Sequence, residues 1–253
     1  MGSYGELVTD LSRGRHASSS YCHLDPDIVL GCLPRRPGWR GALGQVSSAQ
    51  GHLTKQNVGI GDVFIFWSLF RHVEKTERWE FIGAPDHRIW GWLQIGEVIH
   101  LGHDGTHALD RYPWLVAHPH TRPGWRANNV IYVASNHLTL GARIMPFKGC
   151  GTLKNGYRLS ATESLPSVWT IPAWLNPALG GPGMTYHSLE RWHQDGTLRS
   201  TARGQEFVAT LTTSHGAENW LIKLLMESIQ RSGSGGMCWP LTREWRHALM
   251  ARC

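Results

Sequence analysis

The sequence predicts an α+β fold, a strongly curved and mostly antiparallel sheet or small barrel with flanking helices, and three observations carry that expectation. Apolar runs rich in aromatic and β-branched residues recur between Gly61 and Ser135, the composition of strands. The one strongly amphipathic stretch, AENWLIKLLMESIQRS (Ala217–Ser232), comes late in the chain. Gly91 and Gly96 interrupt the longest apolar run and call for bulges or a bend of the kind that curls a sheet. Strands early and helices late segregate the two kinds of element.

Taken in order, the first sixty residues are loop-rich, heavy in Gly, Pro and Arg, with one helix expected from Gln45 to Gln56, where Val46, Ala49 and Leu53 share a face. GDVFIFWSLFRHV (Gly61–Val73) reads as a strand. WEFIG (Trp79–Gly83) and RIWGWLQIGEVIHL (Arg88–Leu101) read as two more. In the second, alternation puts Ile89, Gly91, Leu93 and Ile95 on one face and Trp90, Trp92 and Gln94 on the other. A His-, Gly- and Pro-rich segment runs to Ala127, and NNVIYVAS (Asn128–Ser135) resumes the sheet. Further strands are expected at Tyr157–Ser160 and Glu206–Thr212. The amphipathic helix presents Trp220, Leu221, Leu224, Leu225, Ser228 and Ile229 at spacings of three and four, and it stops at SGSGG. TREWRHALMAR then reads as a final helix capped by Thr242. Residues 1–231 are expected to form one domain, and residues 232–253 a flexible linker with a C-terminal helix.

The chain has 253 residues, 41% hydrophobic and 17% charged, a composition that folds. Lys and Arg number 25 against 19 Asp and Glu, and a pI near 9.3 draws polyanions. General Arg-rich basicity explains that balance equally well. Thirteen Trp and fifteen His add rings that can stack on bases, although most of the Trp belong in a core. The five cysteines are scattered without a CxxC pair, so neither a zinc ribbon nor a disulfide framework is indicated. The N-terminus lacks an apolar signal region, and no apolar run approaches the ~20 residues that span a bilayer, so a soluble cytoplasmic protein without a membrane partner is expected.

Titratable groups are densest between Asp86 and His120. HLGHDGTH has helical metal spacing, but Gly102 and Gly105 argue against that helix, and solvated loop imidazoles are the competing reading. No metal is assigned. His118-Pro119-His120 precedes Asn128-Asn129 at the mouth of a strand, and imidazole beside amide can read a planar heterocycle, unless these groups simply bond turns. In YCHLDPDI, His23 and Asp25 share a face of an extended chain, as an acid–base pair or weak metal site; Asp-Pro turn chemistry competes. Tyr186 and His187 in TYHSLERWHQDG, and Gln205 and Glu206 in RGQEFV, complete the polar set. A desolvated Glu206 would suit acid–base work, or it pairs with Arg203. No P-loop, dinucleotide fingerprint, GxSxG elbow or HExxH is present. RPGWR occurs twice, at residues 36–40 and 122–126.

The ordered blocks HLDPDI, LPxxPGWRxxxGQxxxAQxHL, GxGDxFxFWxxFR, IWGWLQIGEV, HPH, NNxIYVA, YHS and RGQEFV resemble the nucleotide modification associated domain of the third type, from about Tyr21 to about Leu225. The matched positions are His23, Asp25, Trp39, Gln45, Gln50, Asp62, Trp90, Gln94, His118, His120, Asn128, Asn129, Tyr186, His187, Gln205 and Glu206. Nothing here matches the Ser-Arg-Lys-Gly-Phe-Asp stretch near the front of that family. GDVFIFW with IWGWLQIGEVI is also similar to the barrel of PUA-like, ASCH and EVE domains, which hold a flipped or modified base. The first RPGWR copy falls in a matched block, with Arg40 expected free for phosphate or carboxylate. The second reads as a chance recurrence.

The resemblance implies a context of DNA hypermodification and two classes of function. As an enzyme, the chain would use His23, Asp25, His187 and Glu206 as catalytic groups. It would bind a nucleobase through Trp39, Gln45, Gln50, Trp67, Asp86, Trp90, His118, His120, Asn128, Asn129, Tyr186 and Gln205. As a reader without turnover, it would hold an extruded base on Trp67, Trp90 or Trp92 while basic residues grip phosphates. A purely structural assembly subunit is the third possibility. The expected partner is a nucleotide or nucleic acid, DNA above RNA, in company with other base-modification enzymes; no cofactor is assigned.

Overall fold

The computed structural model describes residues 3–201, 206–211, 215–230, 238–240 and 248–252. It opens on a helix the sequence did not announce, α1 (Tyr4–Leu11), closed by a reciprocal cap in which Ser3 and Glu6 each bond the other's backbone N–H. After a long loop come β1 (Ala42–Gln45) and α2 (Ser47–Lys55). Gln45 was expected inside the helix but pairs with Val130 as the last residue of β1. Ser47 sits at φ 60°, and its N–H and C=O are both held by the Asn128 carboxamide, which supports that costly backbone.

β2 (Val63–Lys75) lies against β3 (Trp79–His100), one strand of 22 residues where two were expected. β4 (Val130–Ala134), the hairpin β5 (His137–Leu140) and β6 (Arg143–Lys148), and β7 (Cys150–Arg158) come next. Of the strand expected at Tyr157–Ser160, only the start belongs to β7. β8 (Val168–Thr170), β9 (Thr197–Arg199) and β10 (Phe207–Thr210) precede α3 (His215–Gln230). β11 (Cys238–Pro240) and β12 (Ala248–Arg252) end the chain. The final segment was expected as a helix; its last five described residues instead pair antiparallel with β2 and parallel with β10. Ala-Leu-Met favours helix by local propensity, and pairing with β2 and β10 overrides it. The SGSGG stretch lies outside the described residues.

The main sheet runs β1-β4-β3-β2-β12-β10, with β7 also on β3 and β11 on β2. Among the described residues its end strands do not pair with each other, so the sheet is open and the expected small barrel does not form. All its pairings except β10 with β12 are antiparallel. None of the described helices is long and apolar enough to cross a membrane.

Both faces of the sheet are buried. Val63, Ile65 and Trp67 join one core, which also takes Leu221, Leu224 and Leu225 of α3, the face its periodicity predicted. Phe64 and Phe66 join a second core with Leu43, Leu53 and Tyr132. In β3 the expected alternation breaks, because Phe66 pairs with Gly91 and Trp67 with Ile89, leaving Trp90 as an inserted residue. One inserted residue flips the parity of the strand beyond it. Ile89 and Trp92 therefore face the first core, while Trp90, Leu93 and Ile95 face the second.

Gln94, matched to the family by sequence, is a structural tie. Its Nε2 donates to the carbonyls of Gly61 and Thr139, and its Oε1 accepts from Thr139 N–H and Ser135 Oγ. Burying that amide is tolerable because all four bonds are made. Replacing Gln94 with Leu leaves several buried groups unpaired, and equilibrium urea unfolding is expected to show a loss of roughly 3 kcal/mol.

Candidate functional site

The polar residues singled out by sequence do not converge on one place. The most concentrated group forms where the loop before β1 meets the loop before β4. Asp27 anchors the first loop: its backbone exchanges hydrogen bonds with Ala42 at 2.8 and 2.9 Å, and its carboxylate takes a bidentate Arg35 at 2.7 and 2.5 Å. Trp39 Nε1 also donates to Asp27, at 3.3 Å, and the Arg35 guanidinium lies over the Trp39 ring. Trp39, expected at substrate, is thus part of this clamp. Arg40, expected free, pairs with Glu97, to which Tyr112 also donates a short hydrogen bond.

Two residues before the clamp, the Asp25 side chain is buried, 8% exposed. Its Oδ1 accepts from the Gly44 N–H of β1 at 2.8 Å. Facing it are two imidazoles, His118 at the junction of two 3-10 turns, Pro113–Ala117 and Pro119–Thr121, and His120 within the second. His120 Nε2 is 3.2 Å from Asp25 Oδ2, and His118 Nε2 is 3.7 Å from Asp25 Oδ1. His23 sits at the exposed side of this group, its ring 5.9 Å from that of His120.

Hydrogen bonding orients both buried rings. Asn129 Nδ2 donates to the His120 carbonyl at 2.9 Å, which turns Asn129 Oδ1 toward His120 Nδ1 at 2.6 Å. An amide oxygen only accepts, so His120 carries a proton on Nδ1 and directs Nε2 at the carboxylate. His118 Nδ1 accepts from His120 N–H at 3.3 Å, so neutral His118 carries its proton on Nε2. That Nε2 is buried without a hydrogen-bond partner.

Burial opposes charge on these groups, and their partners decide the outcome. Burial pushes the Asp25 pKa upward, but the hydrogen bond from His120, the neighbouring imidazoles and the Gly44 N–H together leave it below the usual carboxylate range. Burial pushes His118 down to about 4, against the attraction of Asp25. Two residues outside the expected site set complete the group. A Cβ on Gly44 would lie 2.3 Å from the His120 ring, so only glycine lets β1 approach it this closely. Trp125 stacks on His120 at 4.1 Å and 12°, with its Nε1 on the Pro119 carbonyl. It belongs to the second RPGWR copy, the one expected to be a chance recurrence. His103 of HLGHDGTH holds the Trp125 carbonyl through Nδ1 and His107 bonds the Asp104 carbonyl, so these loop imidazoles serve turns.

A second group surrounds buried Glu206. Burial pushes the Tyr132 hydroxyl up to about 12, with the Glu206 charge adding to the rise, and the hydroxyl donates to Gln50. Tyr186, left-handed at φ 65° and half exposed, lies 4.5 Å from the ring of His52, whose Nε2 meets Thr185 Oγ1. His52 and Tyr132 were not singled out by sequence. Gln205 lies outside the described residues.

The remaining candidates are packed or paired within the fold. His187 bonds the Thr185 carbonyl through Nδ1, accepts from Thr201 N–H through Nε2, and packs on Phe207. Both its nitrogens are used, and burial lowers its pKa. Trp67, 3% exposed, is enclosed by Trp169, His87 and Phe207. Trp90 stacks on Phe66 and donates to Ser68. Asp86 is taken by Arg88 and Arg158, Asn128 by Ser47, and Gln45 is buried in β1.

This geometry makes two measurable demands. His118 takes up a proton near 6.5 when unfolded but only near 4 when folded. The unfolded chain therefore binds more protons across that window, and stability falls as pH drops through it. Urea titrations at pH 7 and 4.5 are expected to show a loss of roughly 2 kcal/mol from this group, largely absent in His118→Gln. Gly44→Ala forces β1 and the Pro119–Thr121 turn apart, and chemical denaturation is expected to show about 1 to 3 kcal/mol of destabilisation.

The family model described as nucleotide modification associated domain 3 matches residues 1–210, from the first residue of the chain through β10. No curated protein and no solved structure matches the chain.

Proposed function

We propose, because the chain belongs to the nucleotide modification associated domain 3 family, that it is an enzyme of base or nucleotide modification whose chemistry is centred on Asp25 and His120. The observation that carries this reading is the relay from Asn129 through His120 to a buried carboxylate, with His23 at its exposed side. Asn129 fixes the proton on His120 Nδ1. One further proton is then shared between Nε2 and Asp25 Oδ2, because a bare lone pair facing a carboxylate is repulsive. A proton held between two buried groups of opposite preference is a general acid when given up and a general base when recovered.

A nucleobase suits this arrangement because it presents ring nitrogens and carbonyl oxygens in one plane, each able to exchange that proton. His23 and half-buried Trp125 are the first rings such a substrate meets, and exposed Arg122 and Arg126 flank Trp125 as phosphate contacts. The reader alternative rested on Trp67, Trp90 or Trp92 as a base platform. Those rings are packed in the cores or against Phe66, which favours the catalytic reading. DNA, rather than free nucleotide, is the substrate expected from the chain's positive charge.

Incubation of the protein with nucleotides and with unmodified and modified DNA, followed by mass spectrometry of the digested products, tests this. Asp25→Asn and His120→Ala are expected to lower product formation on the order of 100-fold or more while leaving the fold intact by circular dichroism. His187→Ala is expected to turn over at near wild-type rate. Full turnover by folded Asp25→Asn sinks the assignment.

A further inference from the structure

The geometry points to a divalent transition-metal site formed by His23, Asp25 and His120. It rests on the preceding reading only for where the reaction occurs; the binding of an ion is measurable without any substrate. One nitrogen or oxygen from each of the three residues lies within 4.8 Å of the others. Two ligands held at 2.0 to 2.2 Å by one tetrahedral ion stand about 3.3 to 3.5 Å apart. His120 Nε2 and Asp25 Oδ2, at 3.2 Å, already have nearly that separation.

The surroundings are those a ligand set needs. A metal-bound imidazole offers a lone pair on one nitrogen and donates its other N–H to a fixed acceptor, which sets tautomer and ring orientation. His120 has this arrangement, with Nδ1 on Asn129 Oδ1 and Asn129 itself tied to the His120 carbonyl. Gly44 N–H holds the other Asp25 oxygen. A cation takes the place of the proton shared between Nε2 and Oδ2, satisfying both groups and bringing in His23.

His118 supplies an independent observation. Its side chain is 1% exposed, and its Nε2 is aimed at Asp25 from 3.7 Å without a hydrogen-bond partner. Because its Nδ1 accepts from His120 N–H, that Nε2 is a donor. A buried, unsatisfied donor beside three converging ligands is placed to hold an oxygen ligand of the ion, a water or a substrate oxygen. Two imidazoles and one carboxylate select zinc, manganese or ferrous iron over magnesium or calcium, which prefer all-oxygen sets. Three protein ligands leave a coordination position open, the pattern of a catalytic rather than a structural ion.

The full chain, stripped with chelator and dialysed, is titrated calorimetrically with Zn²⁺ and Mn²⁺, with Mg²⁺ as the comparison, and loaded with Co²⁺ for visible absorption. One Zn²⁺ per chain is expected. Asp25→Asn, His120→Ala and His23→Ala each weaken it at least tenfold, Asn129→Ala weakens it tenfold or more, and His103→Ala and His107→Ala leave it unchanged. The Co²⁺ spectrum of the unmutated protein, which needs no variant to fold, is expected to show nitrogen and oxygen ligation without a thiolate charge-transfer band. Absence of Zn²⁺ binding, binding indifferent to the three ligand variants, or a thiolate band overturns the site. If no ion binds while Asp25→Asn still abolishes turnover, the acid–base reading survives and the metal does not. If an ion binds as expected and no nucleotide substrate is found, the metal site survives and the functional reading does not.

Discussion

The Asp25 centre depends on one constraint, the double pairing of β4. Its five residues, Val130–Ala134, are all buried and pair with β3 on one side and β1 on the other. That register sets Gly44 opposite Ile131 and Gln45 opposite Val130. Asn129, one residue before the strand, thereby lies two positions along from Gly44, and His120 meets both, its ring against Gly44 and its Nδ1 on Asn129 Oδ1. A slip of one residue would exchange Val130, Tyr132 and Ala134 with Ile131 and Val133 between two differently packed cores, so burial on both faces holds the register and the register holds the site. The loops that bring Asp25 and the histidines need only reach a frame already in place.

A buried carboxylate is costly unless donors surround it. Here they are the Gly44 backbone N–H and His120 with its Asn129 support, with the His118 Nε2 edge 3.7 Å away. The Asp27, Arg35 and Trp39 clamp lies two residues away and keeps the Asp25 loop against β1. Asp25 and Asp27 therefore differ in kind. Asp27 has its acceptor capacity used by a bidentate guanidinium and an indole. Asp25 is left facing an imidazole, and on that difference the proposed chemistry is placed on Asp25 rather than Asp27.

Elements whose pattern is local in the chain are readable in the sequence, and those that depend on distant contacts are not. The β2 strand, the α3 face and the β4 strand were readable because alternation and helical spacing record burial directly. Merging two expected strands into β3 was not, since Gly83, Ala84 and Pro85 look like a break and only pairing with β2 carries the strand across. The parity flip at Trp90 depends on a bulge that composition hints at through Gly91 but cannot locate. His118, His120, Asn129, Asp25 and His23 were all singled out by residue type, and the structure brings them together. The role of Trp125 is not legible in its RPGWR context, because stacking on His120 is a contact across a loop that leaves no periodic trace.

By itself, the sequence determined the class of fold, most of the main strands, the buried face of the last described helix and the inventory of imidazoles, amides and carboxylates. Those properties arise from short-range patterning, where each residue's neighbours in the chain are also its neighbours on a face. Tertiary structure alone decided which polar residues act together. It packed or paired His187, Asp86 and Trp67 within the fold, left the sheet open, and gathered His23, Asp25 and His120 from segments nearly a hundred residues apart. That convergence is set by strand register and by the absence of a side chain at Gly44, long-range properties no spacing along the chain encodes.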